Sequence, residues 1–466
     1  MKILVFSMTT ILKDVSIGGS QRHLRELLVY FGKIGHTVTV LTNQREDNKE
    51  PFQLYDGVTV LPLLRFKETF PIPYDTYPFH LVHSYELIKE YTKTHDVLYI
   101  HDSQLDYQYL HEDIPTVASL KNFVYPEAMI SAFHPNQSKL IVSCEYMYDC
   151  VYSTVGQLIP EMESMLTVVR NGIDLTKYKP QQTEKWREKY GIEEDDFVIL
   201  FPHRPEESKG IVQALLVVDQ LKRTNRLKKN IKLLIPKHVD VHISSEVAAF
   251  YFKVDQQAQE LNIKEEIVYY PWVSSEEMAS LYSMSNLTLC IGQFIEAFGY
   301  VQLESIACGT PVIVSNVGAQ RTIVPDGYHV AKVDYGDIEA TVEAILEQSK
   351  YLVDISKVHD FLDEHYNFEK NVASYEEVIL SAQPLVRQKR EQKKRNHYKL
   401  APWCYISNKG IYHDYYYRYL DDSILYAFLQ KQKTTPFTLN EIQAFSPHIS
   451  GADVENAIVE GIIVRC

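Results

Sequence analysis

Apolar residues near the start of the chain switch between two periods. Ile3–Met8 is a short apolar-rich run of the kind seen in strands buried on both faces. A loop with Gly18 and Gly19 follows. Leu24, Leu27, Leu28 and Phe31 then recur at the i, i+3, i+4, i+7 spacing of one helix face, which predicts a helix over Gln21–Gly32. Gly35 ends it, and Thr37–Leu41, rich in β-branched residues, predicts a second strand. This β-loop-α-β unit is the building block of a doubly wound parallel sheet. The pattern recurs as strands at Asp96–Ile100, Thr116–Ala118 and Leu140–Ser143, and Ser164–Val169 leads into the turn-rich corner Arg170–Asp174.

A second αβ series begins with a strand at Phe197–Phe201 and a helix opened by Gly210 and running to about Leu221. Strands are predicted at Ile231–Ile235, Ile267–Tyr270, Leu287–Cys290 and Pro311–Val314. Helices are predicted at Ser275–Ser283, with Ser274 as N-cap, and at Tyr300–Ala307. The fold class is therefore α/β. Two Rossmann-like domains, 1–178 and 179–382, are expected to face a cleft, with a hinge near 175–185 and a helix around Phe368–Ala382 packing beside it. Beyond them, Arg387–Lys399 carries seven basic residues and one acid. It reads as a solvated linker over 383–420, and a surface for anionic lipid is the minority reading. Residues 421–466 read as helices Ser423–Gln430, Leu439–Phe445 and Ala452–Glu460 and a short strand Ile462–Val464, a small mostly helical module of possible winged-helix form. It suits packing, partner docking or homo-oligomer contact.

Composition narrows the function. The 466 residues are 45% hydrophobic and 23% charged, an ordered globular balance. The net charge of −14 argues against a nucleic-acid-binding body. Six scattered cysteines without a Cys-x-x-Cys pair argue against a zinc site or disulfide framework and for a reducing, cytoplasmic setting. The N-terminus turns polar too quickly for a signal peptide, and no run of 18 apolar residues predicts a membrane span, so any membrane contact is expected to be peripheral.

Three groups of residues can carry chemistry. Gly18-Gly19 precedes a helix N-terminus, where backbone amides can approach a diphosphate, although a plain tight turn would look the same. The absence of a full Gly-x-Gly-x-x-Gly fingerprint lowers the odds of an NAD enzyme. Arg204 and Lys209 follow the strand ending at Phe201, where two cations can clamp a pyrophosphate leaving group; a solvated loop is the bland alternative. Glu296 stands in a loop before Gly299, and Glu304 lies eight residues later among Leu303, Ile306 and Ala307. A carboxylate there is costly without hydrogen-bond donors, and sugar and ribose hydroxyls are suitable ones.

The segment Phe294–Ser315 resembles the signature of the GT-B fold glycosyltransferases of family 4, the glycosyl transferases group 1, usually E-x-F-G-x-x-x-x-E-A-x-A-x-G-x-P-V. Here it stands as Glu296, Phe298, Gly299, Glu304, Ala307, Gly309, Pro311 and Val312, with Ser305 for the usual alanine. Gly18-Gly19, Arg170–Asp174 and Arg204…Lys209-Gly210 follow in the family's order, so the resemblance covers about residues 1–380. It implies a GT-B fold and retaining, metal-independent hexosyl transfer from a nucleotide sugar, a UDP-sugar being favoured, to a hydroxyl of a small-molecule, secondary-metabolite or glycan acceptor, with no cofactor. It implies that Arg204 and Lys209 hold the diphosphate with the Gly19 amide, that Glu304 binds ribose, and that Glu296 binds the donor sugar. Gly18, Asn171, Ala297, Phe298 and Gly299 complete the implied donor site.

Two departures stand out. The family's histidine after the strand ending near Ser119 is replaced by Lys121, which either takes over its sugar contact or leaves that role absent; His101 is the other candidate. The usual Gly-Gly-x-x-Glu after the Pro-Val strand is Val317-Gly318-Ala319-Gln320-Arg321 here, without the acid. The competing readings are a sugar-nucleotide epimerase or phosphorylase-like relative, and a catalytically silent GT-B subunit that docks a partner through its C-terminal module. The aromatic loop Phe66–Phe79, with Phe70, Pro71, Pro73, Tyr74 and Tyr77, could line an acceptor groove or simply pack.

Overall fold

The short apolar runs lie side by side as parallel strands. The computed structural model of the chain describes residues 1–14, 16, 18–66, 78–102, 113–122, 129, 132–133, 138–238, 241, 244–384, 396–420 and 425–466. The aromatic loop residues Phe70, Pro71, Pro73, Tyr74 and Tyr77 and positions 387–395 of the basic run lie outside the described residues. Two units result: Met1–Asn171 with Glu369–His413 and Arg418–Cys466, and Gly172–Phe368 with Asp414–Tyr417.

The first unit is built on strands β1 (Lys2–Ser7), β2 (Thr37–Asn43), β3 (Phe52–Tyr55), β4 (Val58–Leu64), β5 (Val97–His101), β6 (Thr116–Leu120), β7 (Lys139–Val142) and β8 (Leu166–Val168), in the order β3-β4-β2-β1-β5-β6-β7-β8. Every neighbouring pair is parallel except β3 with β4. Ile3 to Phe6 and Val97 to Ile100 are almost wholly buried, because both faces of a parallel sheet are covered by helices. The 19–33 helix buries Leu24, Leu27, Leu28 and Phe31, the stripe expected from the sequence. The order reverses at β1, whose neighbours are β2 on one side and β5 on the other. In an open αβ sheet, that reversal opens a crevice at the strands' carboxyl ends.

The second unit repeats the plan with β9 (Phe197–Leu200), β10 (Ile231–Lys237), β11 (Ile267–Pro271), β12 (Leu287–Cys290), β13 (Val312–Ser315) and β14 (Val330–Val333), ordered β11-β10-β9-β12-β13-β14 and all parallel. Its core joins Ile199, Leu233, Leu289 and Ile313 of the sheet to Leu215 and Val218 of the 211–224 helix. Here the order reverses between β9 and β12. The 275–284 helix starts in a capping box of Ser274 and Glu277.

The domain boundaries expected from sequence need correction. The division falls between Asn171 and Gly172 rather than near 175–185. Ile173 N–H donates to the Tyr366 carbonyl at 2.7 Å, so the entering and leaving passages of the second unit lie against each other. The 368–380 helix belongs almost entirely to the first unit, where it buries Asn371, Val372, Tyr375 and Ile379. Asn371 Nδ2 donates to the Arg170 carbonyl at 2.6 Å, and Glu376 accepts from the Tyr30 hydroxyl at 3.1 Å.

Among its described residues, the stretch read as a linker holds four strands: β15 (Tyr398–Leu400), β16 (Cys404–Ser407), β17 (Gly410–His413) and β18 (Arg418–Leu420). Residues Ile463–Arg465 form β19, which pairs antiparallel with β15. Helices 426–432, 439–445 and 451–459 lie close to the expected positions. The C-terminal residues join the first unit, where Gln157 Nε2 donates to the Arg465 carbonyl at 2.6 Å. Among the described residues, no helix is long and apolar enough to cross a membrane.

One close approach fixes the second crevice. A Cβ at Gly292 would lie 2.3 Å from the Ser208 carbonyl oxygen, and one at Gly210 would lie 2.7 Å from Gly292 N. Gly210 also has φ +93, a left-handed conformation that side chains resist. The loops after β9 and β12 are therefore in backbone contact, reinforced by Phe294 N–H donating to Ser208 O at 2.9 Å. Gly292→Ala is expected to destabilise the fold by roughly 2–4 kcal/mol through overpacking against backbone. Urea denaturation checks this; a loss under about 0.5 kcal/mol would mean that the loops can separate freely.

Candidate active site

The loop contact brings Lys209 to Glu296. Lys209 is buried, and its Nζ donates to Glu296 Oε1 at 2.6 Å while lying 3.5 Å from the centre of the Phe294 ring. Burial works against the charge on Glu296. The ammonium bonded to it outweighs burial and, with His203 and Arg204 nearby, holds the carboxyl below its usual range. Arg204 is half-exposed and pairs with Glu206 at 3.0 Å, so the two expected cations are positioned by separate carboxylates.

Gly299 adopts φ +84, which turns the chain from the Glu296 loop into the 300–307 helix. Ala297 and Phe298 are buried, and the Phe298 ring packs edge-on against Tyr300 and Tyr366. Glu304 is buried on that helix, and its Oε2 accepts from the Tyr282 hydroxyl at 2.8 Å. The structure thus supplies a protein donor to the acid for which the sequence suggested ribose. Both Tyr282 and Glu304 belong to the second unit, together with Lys209, Glu296 and Arg204.

His203 was not singled out from the sequence. Its Nε2–H donates to the Leu289 carbonyl at 2.9 Å. Burial, then the Lys209 charge, push its pKa from 6.5 down to about 4. A histidine two residues past Phe201 at a strand's carboxyl end was the only available signal. Tyr282 lay on a predicted helix with nothing to distinguish it from a core ring.

The other expected site residues belong to the first unit. Gly18 is extended and caps the 19–33 helix, and Gly19 is its first residue, at the carboxyl end of β1. His101, at the end of β5, contacts the Tyr99 hydroxyl at 3.0 Å through Nδ1 and the Ser20 hydroxyl at 2.9 Å through Nε2. Lys121 Nζ donates to the Tyr375 hydroxyl at 2.6 Å and lies 3.2 Å from His23 Nδ1, so its amine is held by neighbouring side chains. Burial lowers the Lys121 pKa to about 7, with Asp102 opposing the fall. Burial raises Asp102 to about 7, while the Lys121 N–H bonded to Oδ1 at 3.1 Å and the Lys121 charge pull it back. His23 and His101 are depressed well below 6.5, by burial first and by Lys121 second. Asn171 is buried at the end of the unit, and its N–H donates to Ser143 O at 3.4 Å.

These buried histidines make stability depend on pH. Their folded pKa lies below the unfolded value, so in that window the unfolded chain binds protons that the folded chain refuses. Stability is therefore full above about pH 6.5 and falls as acid is added. For His203 the window runs from 6.5 to about 4, with a slope of up to ~1.4 kcal/mol per pH unit. His203→Gln keeps an N–H toward Leu289 and removes the titration. Its melting temperature is expected to fall less steeply than that of the wild type between pH 6.5 and 4.5, and parallel curves would exclude His203 as a contributor.

Comparison with known proteins agrees with this geometry. The model of Glycosyltransferase Family 4 matches residues 17–177, and that of Glycosyl transferases group 1 matches residues 182–358, together well over half of the chain. The lipopolysaccharide 1,2-N-acetylglucosaminetransferase of Salmonella typhimurium is 26% identical over 295 residues, 61% of this chain and 73% of that protein. The D-inositol 3-phosphate glycosyltransferase of Mycolicibacterium smegmatis is 29% identical over 184 residues, 40% of each chain. The crystal structure of Anabaena HepE in complex with UDP and glucose superposes with a TM-score of 0.64 at 16% identity, covering 82% of this chain and 100% of that one. With two parallel-sheet Rossmann-like units and both family models in sequence order, this chain belongs to the GT-B glycosyltransferases of the family 4, group 1 type.

Proposed function

We propose that this chain is a retaining, metal-independent hexosyltransferase, acting in the cytoplasm, that uses a nucleotide sugar, with uridine the favoured base. The acceptor is a hydroxyl of a small molecule, a secondary metabolite or a glycan. The observation that carries this reading is the pairing of buried Lys209 with partly buried Glu296 beside the N-terminus of the 300–307 helix, at the reversal point of the second sheet. The UDP and glucose held by HepE and the sugar transfer named for the Salmonella relative support the donor class.

In this reading the donor diphosphate meets Lys209, Arg204 and the amides at the helix start. Lysine has three N–H donors, so Lys209 can hold Glu296 and a phosphate oxygen together. Glu304 takes a ribose hydroxyl and Glu296 a hydroxyl of the donor sugar. The acceptor oxygen attacks the anomeric carbon on the face from which the diphosphate departs. The carbon–oxygen bond to phosphate breaks with its electron pair on the phosphate, and the acceptor proton passes to that oxygen. Preset positive charge lowers the barrier because it requires no reorganisation as the leaving group gains charge. Gly18, Gly19 and Asn171 of the first unit are further proposed donor-binding residues. His101 and Lys121 are the proposed catalytic residues of the first unit, each held in the hydrogen-bonded cluster that surrounds it.

Three measurements test this reading. UDP-, GDP- and ADP-sugars are screened by thermal shift, since a ligand that binds the folded state raises its melting temperature. Lys209→Ala should cost roughly 2–4 kcal/mol of transition-state stabilisation, about 30- to 1,000-fold in kcat. Product anomers read by NMR should keep the donor's configuration. Unchanged turnover in the variant would remove Lys209 from the site, and inversion would overturn the retaining mechanism. No shift and no hydrolysis with any donor would favour a catalytically silent subunit.

A further inference from the structure

The C-terminal residues beyond the family-matched segments place one carboxylate in the second unit. Asp414, in the turn between β17 and β18, is 0% exposed. One of its oxygens accepts from Gly318 N–H at 3.1 Å, and the other pairs with the Arg321 guanidinium. Arg321 is also nearly buried, and its Nε donates to the Asn316 carbonyl at 2.9 Å. One carboxylate therefore ties the middle and the end of the loop 316–321, where Arg321 stands in place of the expected acid.

That loop presses on the backbone of Glu296. Gly318 has φ +59, and a Cβ there would lie 2.7 Å from the Glu296 carbonyl oxygen and 2.9 Å from its nitrogen. Ala319 N–H donates to the same carbonyl at 2.8 Å. Glu296 is thus clamped between Lys209 at its carboxylate and the 318–319 turn at its backbone, and Asp414 holds that turn. A fully buried carboxylate is tolerated only with a charge partner and donors, and both of the contacts described here lie on this loop.

We propose that Asp414 is a positioning residue of the donor site: its carboxylate braces the 316–321 turn and through it sets where Glu296 meets the donor sugar. The proposal rests on the donor reading given above.

The test uses the full chain with Asp414→Ala and the double variant Asp414→Asn with Arg321→Gln. The double variant keeps an oxygen for Gly318 N–H and removes both charges together. In Asp414→Ala, amide exchange over 316–321 is expected to accelerate. The concentration of UDP (or of GDP or ADP, whichever shifts the wild type) giving half the maximal thermal shift should rise about tenfold, with donor KM following and acceptor KM unchanged. The double variant should return to within about threefold of wild type. A lower melting temperature with unchanged nucleotide midpoint and donor KM would make Asp414 purely structural and overturn the proposal. A wild type that ignores all three nucleotides would sink the donor reading itself. The exchange rates at 316–321 would then decide the brace, with faster exchange supporting it and equal rates overturning it.

Discussion

Backbone contact between the loops that leave β9 and β12 is the constraint on which the second unit's chemistry depends. The sheet order makes these two strands neighbours although 86 residues separate His203 from Leu289. Glycines at 210 and 292 let the two main chains touch where any side chain would hold them apart. Only then do Lys209 and Glu296 meet at hydrogen-bond distance with little water around them. An ammonium and a carboxylate taken out of water gain stability only if the geometry is good and their remaining hydrogen-bonding capacity is used. The pair is thus weak as a staple of the fold. It is well suited to a site where an incoming diphosphate and sugar can use what the pair leaves open.

The first unit solves the same geometric problem with a different material. The reversal at β1 leaves a crevice edged by the 19–33 helix start and by His101, and the space behind it is filled with polar side chains that satisfy one another. Tyr99, His101, Ser20 and Ser119 form one hydrogen-bonded group, and Lys121, Tyr375, His23 and Asn371 form another. Lys121 thereby connects the 368–380 helix to β6. Removing one member of such a network strands its partners, so its parts act as a unit.

Local pattern made much of this legible. The strands at Leu287–Cys290 and the helix at Tyr300–Ala307 coincide with their sequence readings because each is a clean apolar run or a helix opened by glycine. The acids at 296 and 304 and the cations at 204 and 209 could be found because their spacing around strand ends is local. β4 escaped notice although its burial alternates along Val58–Leu64, since Pro62 in the run weakens a strand reading and the partner β3 is short. The bond of Lys209 to Glu296, of Tyr282 to Glu304 and of Asp414 to Gly318 joins residues far apart in sequence. No periodicity encodes such pairings. The same reason explains the misread linker: β15 makes sense as a strand only once β19 lies beside it.

That the second unit is inserted between Asn171 and Glu369 has a consequence for the order in which the chain can mature. On the ribosome, the strands β9 to β14 are all available while the first unit still lacks its 368–380 helix and everything after it. Domains generally fold as units as they emerge, the earlier first. Here the earlier one starts first and closes last. Until residues 369–466 have been made, the surfaces that will take Tyr375 beside His23 and Arg465 beside Gln157 are uncovered. The first unit is therefore completed only after the whole of the inserted segment has been made.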